Sequence, residues 1–136
     1  MEYMQTFAIQ SKADIEYARR EARAFAVRTG LDRDRSEMVV LAVSELATNL
    51  QRYASGGSIE LSRLSVDGRV GVQVRSHDHG PGIADLKLAM QDGYSTGGGL
   101  GSGLPGVHRL MDEFDITSGP EGTTVTAWKW MIQPTR

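Results

Sequence analysis

Apolar residues change their period several times along the chain, and each change marks an element. Met4 to Ile9 alternates as a short strand, after which Ile15, Ala18, Ala22, Phe25 and Ala26 recur at helical spacing. Ser11 or Asp14 suits the cap of that helix, and Gly30 ends it. A second helix is predicted from Arg33 to Tyr53, because Val39, Val43, Leu46 and Leu50 stand at i, i+4, i+7 and i+11. At about 100° per residue, Glu45, Asn49 and Arg52 fall on the face beside this stripe, with Glu45 and Asn49 one turn apart. They form either an exposed rim, with an Asn-to-Glu hydrogen bond and a weak ion pair, or a presented carboxylate and amide.

Two glycines between Ala54 and Ser58 break the second helix, and Ile59 to Leu64 alternates as a strand. Asp67-Gly68 predicts a hairpin, so the next strand, with Val70, Val72 and Val74 on one face, runs antiparallel to it. The same phase reaches Ser76 and Asp78, which places a carboxylate on the apolar side unless a bulge intervenes. Such a group is costly there without a donor. Asp78 then either caps its own turn or accepts from outside, for example from the exocyclic amine of a base. Ile83 to Met90 reads as a short helix, Pro105 to Glu113 as another, and Phe114 to Ser118 and Thr123 to Met131 as strands joined by the turn Gly119 to Gly122. This order predicts an α+β two-layer sandwich, a mixed and mainly antiparallel sheet with helices on one face.

Composition narrows the class. At 136 residues and 40% hydrophobic content, residues 1–136 fit one globular domain. A net charge of −2 argues against a nucleic-acid partner, and no run approaches the roughly 18 apolar residues of a membrane span, so a soluble cytoplasmic protein is expected. The chain has no cysteine and three scattered histidines, which leaves no disulfide framework and no thiolate zinc site. Arginines far outnumber lysines; Arg19, Arg20 and Arg23 lie off the core, as a solvated face or a docking patch.

Seven glycines lie in the fourteen residues from Gly93 to Gly106, a density that suits a loop wrapping an anion with backbone N–H groups. A Gly/Ser linker has similar composition, but Leu100, Leu104, Val107 and Leu110 keep helical spacing through the glycines, and Pro105 fits a first turn. The loop thus runs into a helix whose N-terminus favours phosphate. A Walker loop is excluded, since no lysine lies between Lys87 and Lys129. Gly101 to Gly106 matches the dinucleotide-binding glycine pattern, yet no apolar strand precedes it and too little chain follows.

A third pattern fits at four separated places. Glu45-x-x-x-Asn49 on a helix, Asp78-x-Gly80-x-Gly82 after a strand, Gly99-x-Gly101-x-Gly103-Leu104 opening a helix, and Gly122-Thr123 before the last strand resemble the GHKL ATPase superfamily. Within it, Asp78 to Met111, Ser44-Glu45-Leu46-Ala47 and Lys129-Trp130 resemble the RsbT switch kinases, relatives of the RsbW and SpoIIAB anti-sigma-factor kinases. The resemblance implies the GHKL (Bergerat) ATP-binding fold, with ATP and Mg²⁺ as cofactors. It implies Asn49 as the Mg²⁺ ligand, Glu45 as the base for the attacking hydroxyl, and Asp78 as the acceptor from the adenine amine. Gly80 and Gly82 are implied to leave space beside the ring; Gly99, Leu100, Gly101, Ser102, Gly103 and Leu104 form the implied phosphate loop and lid; Thr123 joins the network at adenine. Relatives often carry His where this chain has Arg52.

No dimerising helix pair with a phospho-accepting His and no transducer domain accompany the pattern, so a bare kinase domain is expected. The implied partners are a STAS-domain antagonist, phosphorylated on Ser or Thr, and a PP2C-type phosphatase activated by binding. The alternative is a nucleotide-gated binding module with little catalysis. Glu45 beside Asn49 favours the kinase, since binding alone needs no base.

Overall fold

Five strands make one sheet in the computed structural model, which describes residues 3–54, 56–80 and 103–132. They are β1 (Met4–Ile9), β2 (Gly57–Val66), β3 (Arg69–His77), β4 (Glu113–Gly119) and β5 (Gly122–Trp130), in the spatial order β1-β2-β3-β5-β4. Each neighbouring pair is antiparallel, so the expected mainly antiparallel sheet contains no parallel pair among the described residues. The described helices are α1 (Lys12–Thr29), α2 (Arg33–Tyr53) and α3 (Gly103–Leu110). None of them is long and apolar enough to cross a membrane.

Local chemistry explains most boundaries. Ser11 caps α1 in a capping box: its Oγ accepts the Asp14 N–H at 3.3 Å, while the Asp14 carboxylate accepts the N–H groups of Gln10 and Ser11. Those amides hold the Asp14 carboxyl below its ordinary value. Gly30, at φ 113°, closes the helix with its N–H on the carbonyls of Ala26 and Val27. Asp32 caps α2 through the Arg35 N–H at 2.8 Å. Asp67 and Gly68 both take positive φ, as a two-residue primed hairpin turn requires.

The register carries rows of side chains across the sheet. Phe7, Ile59, Ser76, Val125 and Ile116 form one row, and Leu61, Val74, Ala127 and Phe114 lie in the next. Against these rows α1 buries Ala18, Ala22, Phe25 and Ala26, and α2 buries Val39, Val43, Leu46 and Leu50 together with Val40, Ala42 and Ala47. The predicted faces are therefore the core faces, and that of α2 is wider than its leucine-valine stripe. The opposite sheet face carries Gln73, Arg75, Trp128 and Trp130; Trp128 Nε1 donates to Gln73 Oε1 at 3.0 Å, and the Arg69 guanidinium lies 4.3 Å from the Trp130 ring centroid. Arg23 is joined to Glu37 by bonds of 2.7 and 3.0 Å, which ties α1 to α2 at the surface.

Helix α3 departs from expectation at both ends, running from Gly103 to Leu110 in place of Pro105 to Glu113. It starts early because Pro105 fits within the first turn, where N–H groups have no helical partner. It stops early because β5 captures Asp112: the Asp112 N–H donates to the Trp128 carbonyl at 2.8 Å, and its Oδ2 accepts the Trp130 N–H at 2.9 Å. The helix expected from Ile83 to Met90 lies outside the described residues.

Candidate functional site

The β2–β3 and β3–β5 ladders reach His77 without a bulge, so Asp78 keeps the phase of Val72, Val74 and Ser76. Its carboxylate caps its own turn, as one of the two readings required, and does more. Oδ1 accepts the Gly80 N–H at 2.8 Å and the Thr123 N–H at 3.3 Å. The Asp78 N–H donates in turn to the Thr123 carbonyl at 3.0 Å. Gly122 permits this approach: at φ 138°, a Cβ on it would overlap the Asp78 carbonyl. The Thr123 hydroxyl pairs with Ser118 Oγ at 2.7 Å across the β4–β5 hairpin, so the network extends to a residue that the motif does not include. Gly80 lies close to its neighbours, since a Cβ there would stand 3.2 Å from Asp78 Oδ1 and 3.5 Å from the Ala54 Cβ at the end of α2.

Glu45 and Asn49 are both half-buried, one turn apart on α2, while Arg52 is exposed. The N–H of Gly103, the first residue of α3, stands near enough to the Glu45 carboxylate to favour its charged form. Burial pushes the Glu45 carboxyl above its ordinary value; the Gly103 N–H and the Arg52 charge pull it back part of the way. This is the balance a general base needs: a carboxylate made more basic by its surroundings yet kept ionisable by a donor and a nearby cation. Arg52 thus acts electrostatically on Glu45. A backbone N–H at a helix start favours an anionic oxygen, the kind of acceptor a phosphate would offer. Among the described residues no group of three or more His, Cys, Asp or Glu gathers to hold a metal. A Mg²⁺ held by one neutral oxygen and by phosphates needs no such group.

Leu104 belongs to the core with Val107 and Met111, so its side chain anchors α3. Glu45 and Gly103 are thus brought together, as are Asp78, Gly80 and Thr123. Gly82, Gly99, Leu100, Gly101 and Ser102 lie outside the described residues. A side chain that spacing alone did not single out also holds this region. Lys129 Nζ, from the inner face of β5, donates to the Leu110 carbonyl at 2.7 Å and to Asp112 Oδ1 at 3.2 Å. The available signal was its place in an otherwise apolar alternation, Val125, Ala127, Lys129.

The model of the histidine kinase-like ATPase domain matches residues 10–129. The chain is 43% identical over 124 residues to the serine/threonine-protein kinase RsbT of Bacillus subtilis (strain 168), covering 90% of this chain and 93% of that protein. Its fold resembles that of the RsbU and RsbW domains of a Mycobacterium tuberculosis protein, with a TM-score of 0.66 and 22% identity over 100% of this chain and 34% of that one. It also resembles the histidine kinase domain of a blue-light-activated kinase from Erythrobacter litoralis, with a TM-score of 0.51 and 21% identity over 86% of this chain and 63% of that one. Together with the α+β sandwich, the family match and the RsbT identity decide the assignment: the chain belongs to the histidine kinase-like ATPase family, among the RsbT-type serine/threonine-protein kinases.

Proposed function

We infer that this kinase is an ATP- and Mg²⁺-dependent partner switch acting in the cytoplasm. The observation that carries the reading is Glu45: a half-buried carboxylate, one turn from Asn49 and beside the first amide of α3, whose pKa burial raises. In this reading Asp78 accepts the adenine amine and Thr123 braces it. Gly80 and Gly82 leave room for the ring. The glycines from Gly99 to Gly103, with Leu100, Ser102 and Leu104, frame the phosphates, and Asn49 ligates Mg²⁺.

Bound ATP supplies the phosphoryl group. Glu45 takes the proton from a Ser or Thr hydroxyl as that oxygen bonds to phosphorus and the phosphoanhydride bond breaks, leaving phosphoserine or phosphothreonine and ADP. The acceptor is a STAS-domain antagonist, which docks on the surface around the site. Once released from it, the kinase binds and activates a PP2C-type phosphatase.

The test is phosphate transfer to a purified STAS-domain antagonist by the wild type and by Glu45→Gln, beside a binding assay on both. The expected result is a fall in transfer of about 10²- to 10⁴-fold with docking and ATP binding kept, the range general-base help supplies. Wild-type transfer by the variant would remove Glu45 from this role. Absence of transfer by either protein, with nucleotide-dependent docking intact, would instead identify a gated binding module.

A further inference from the structure

Lys129 is buried, with 8% of its side chain exposed, on the face of β5 that packs against the helices. An ammonium there is unfavourable unless its donors are used, and a packed apolar side chain of similar volume would serve stability as well. Both described bonds of Lys129 go to the end of α3: the carbonyl of Leu110, the last helical residue, and the Asp112 carboxylate just beyond. Asp112 is itself held to β5 on two sides, by its N–H on the Trp128 carbonyl and by the Trp130 N–H on its Oδ2. The cation also stands at the negative end of the helix dipole.

A helix of eight residues is marginal by itself and about 12 Å long, so its place is set by what holds its ends and its buried side. Leu104, Val107 and Met111 hold the side. Sliding along the helix axis is opposed by the clamp at the C-terminal end. The other end presents the Gly103 N–H to Glu45.

The geometry points to Lys129, with Asp112, as a positioning residue that sets where the first amides of α3 stand, and so how tightly the site takes the phosphates of its nucleotide. This rests on the reading of the α3 N-terminus as part of the ATP site. Lys129 itself touches no reacting atom; it acts through the helix.

Two ligands separate positioning from plain structural support. ATP uses the α3 amides and adenosine does not, whereas both use the Asp78 corner. Lys129→Met keeps the apolar stem and removes the charge, and Asp112→Asn removes the partner's charge should the first variant fail to fold. Calorimetry on the folded variants should show ATP affinity falling by about tenfold or more and adenosine affinity held within about twofold, as expected when a fixed donor set is displaced by a fraction of an ångström. Equal loss for both ligands, or loss for neither, would overturn the proposal. If the wild type itself binds no ATP, the nucleotide reading has failed, and the ligand-free protein still decides the positioning claim. The Gly103 amide resonance in a ¹⁵N spectrum should then move in Lys129→Met, and an unmoved resonance would refute the link along α3.

Discussion

Asp78 and Thr123 are joined in both directions: the Thr123 N–H donates to Asp78 Oδ1 at 3.3 Å, and the Asp78 N–H donates to the Thr123 carbonyl at 3.0 Å. The end of β3 and the start of β5 are thereby locked across 45 residues of sequence. Among the described residues both donors to the carboxylate, Gly80 and Thr123, converge on the same oxygen.

Asp78→Asn should therefore fold. Its amide oxygen can still accept both backbone N–H groups, while an NH₂ replaces the second oxygen and meets the adenine amine donor to donor. ATP affinity should fall by about 1–3 kcal/mol, the cost of an unmatched buried polar group. Calorimetry beside a circular dichroism spectrum checks this, and unchanged affinity would leave Asp78 as a turn cap only.

Gly122→Ala should damage both stability and nucleotide binding, because the new Cβ would overlap the Asp78 carbonyl at a φ of 138° that alanine rarely adopts. A loss of about 1–3 kcal/mol is expected from the backbone conformation alone. Urea unfolding measures the loss; a variant as stable as the wild type would show that β3 and β5 separate here at little cost.

The pH dependence of transfer follows from Glu45. Its carboxyl lies above the ordinary 4.5 because burial disfavours the charge, with the Gly103 N–H and the Arg52 charge pulling it down. A base must be ionised, so transfer should fall as pH drops through that raised value. Arg52→Gln removes one of the downward pulls and should move the acid limb of the pH–rate profile to higher pH. An unmoved limb would assign the titration to another group. Stability responds in the opposite sense: the folded protein holds this proton more tightly than the unfolded chain, so the contribution of Glu45 is full below 4.5 and is lost as pH rises through the folded value.

Asn49→Ala should abolish the Mg²⁺ dependence of ATP affinity, since it deletes the oxygen proposed to hold the metal. Titrating Mg²⁺ against nucleotide affinity in both proteins reads this directly. A full metal effect in the variant would return Asn49 to a helical rim.

What was legible in the chain was whatever short-range geometry decides. Ser11 and Asp14 lie within one turn of each other, so the capping box forms wherever a helix starts there. Asp67-Gly68 selects its turn because both residues tolerate positive φ, and that turn sets the β2–β3 register that carries Asp78 to the right face. The α1 and α2 stripes depend only on helical period, and they became the core. The reading of Glu45 and Asn49 could not be closed in the same way. Their spacing is identical for a solvated rim and for a site, and only the fold brings the start of α3, with its Gly103 N–H, beside Glu45.

The remaining features rest on contacts between distant segments. Helix period continued past Leu110, but the pairing of Asp112 with β5 ended α3 there, because two strand hydrogen bonds outweigh another turn of a short helix. Lys129 stands in the sequence as a polar interruption of a buried strand, and only the fold supplies the Leu110 carbonyl, 19 residues away, that makes its burial tolerable. The sequence by itself determined α1 and α2, the cap of α1, the β2–β3 turn and the faces these elements bury, since these follow from periods and turns spanning a few residues. The tertiary structure decided which donor each carboxylate meets, because a buried charge takes its chemistry from neighbours that local order cannot specify.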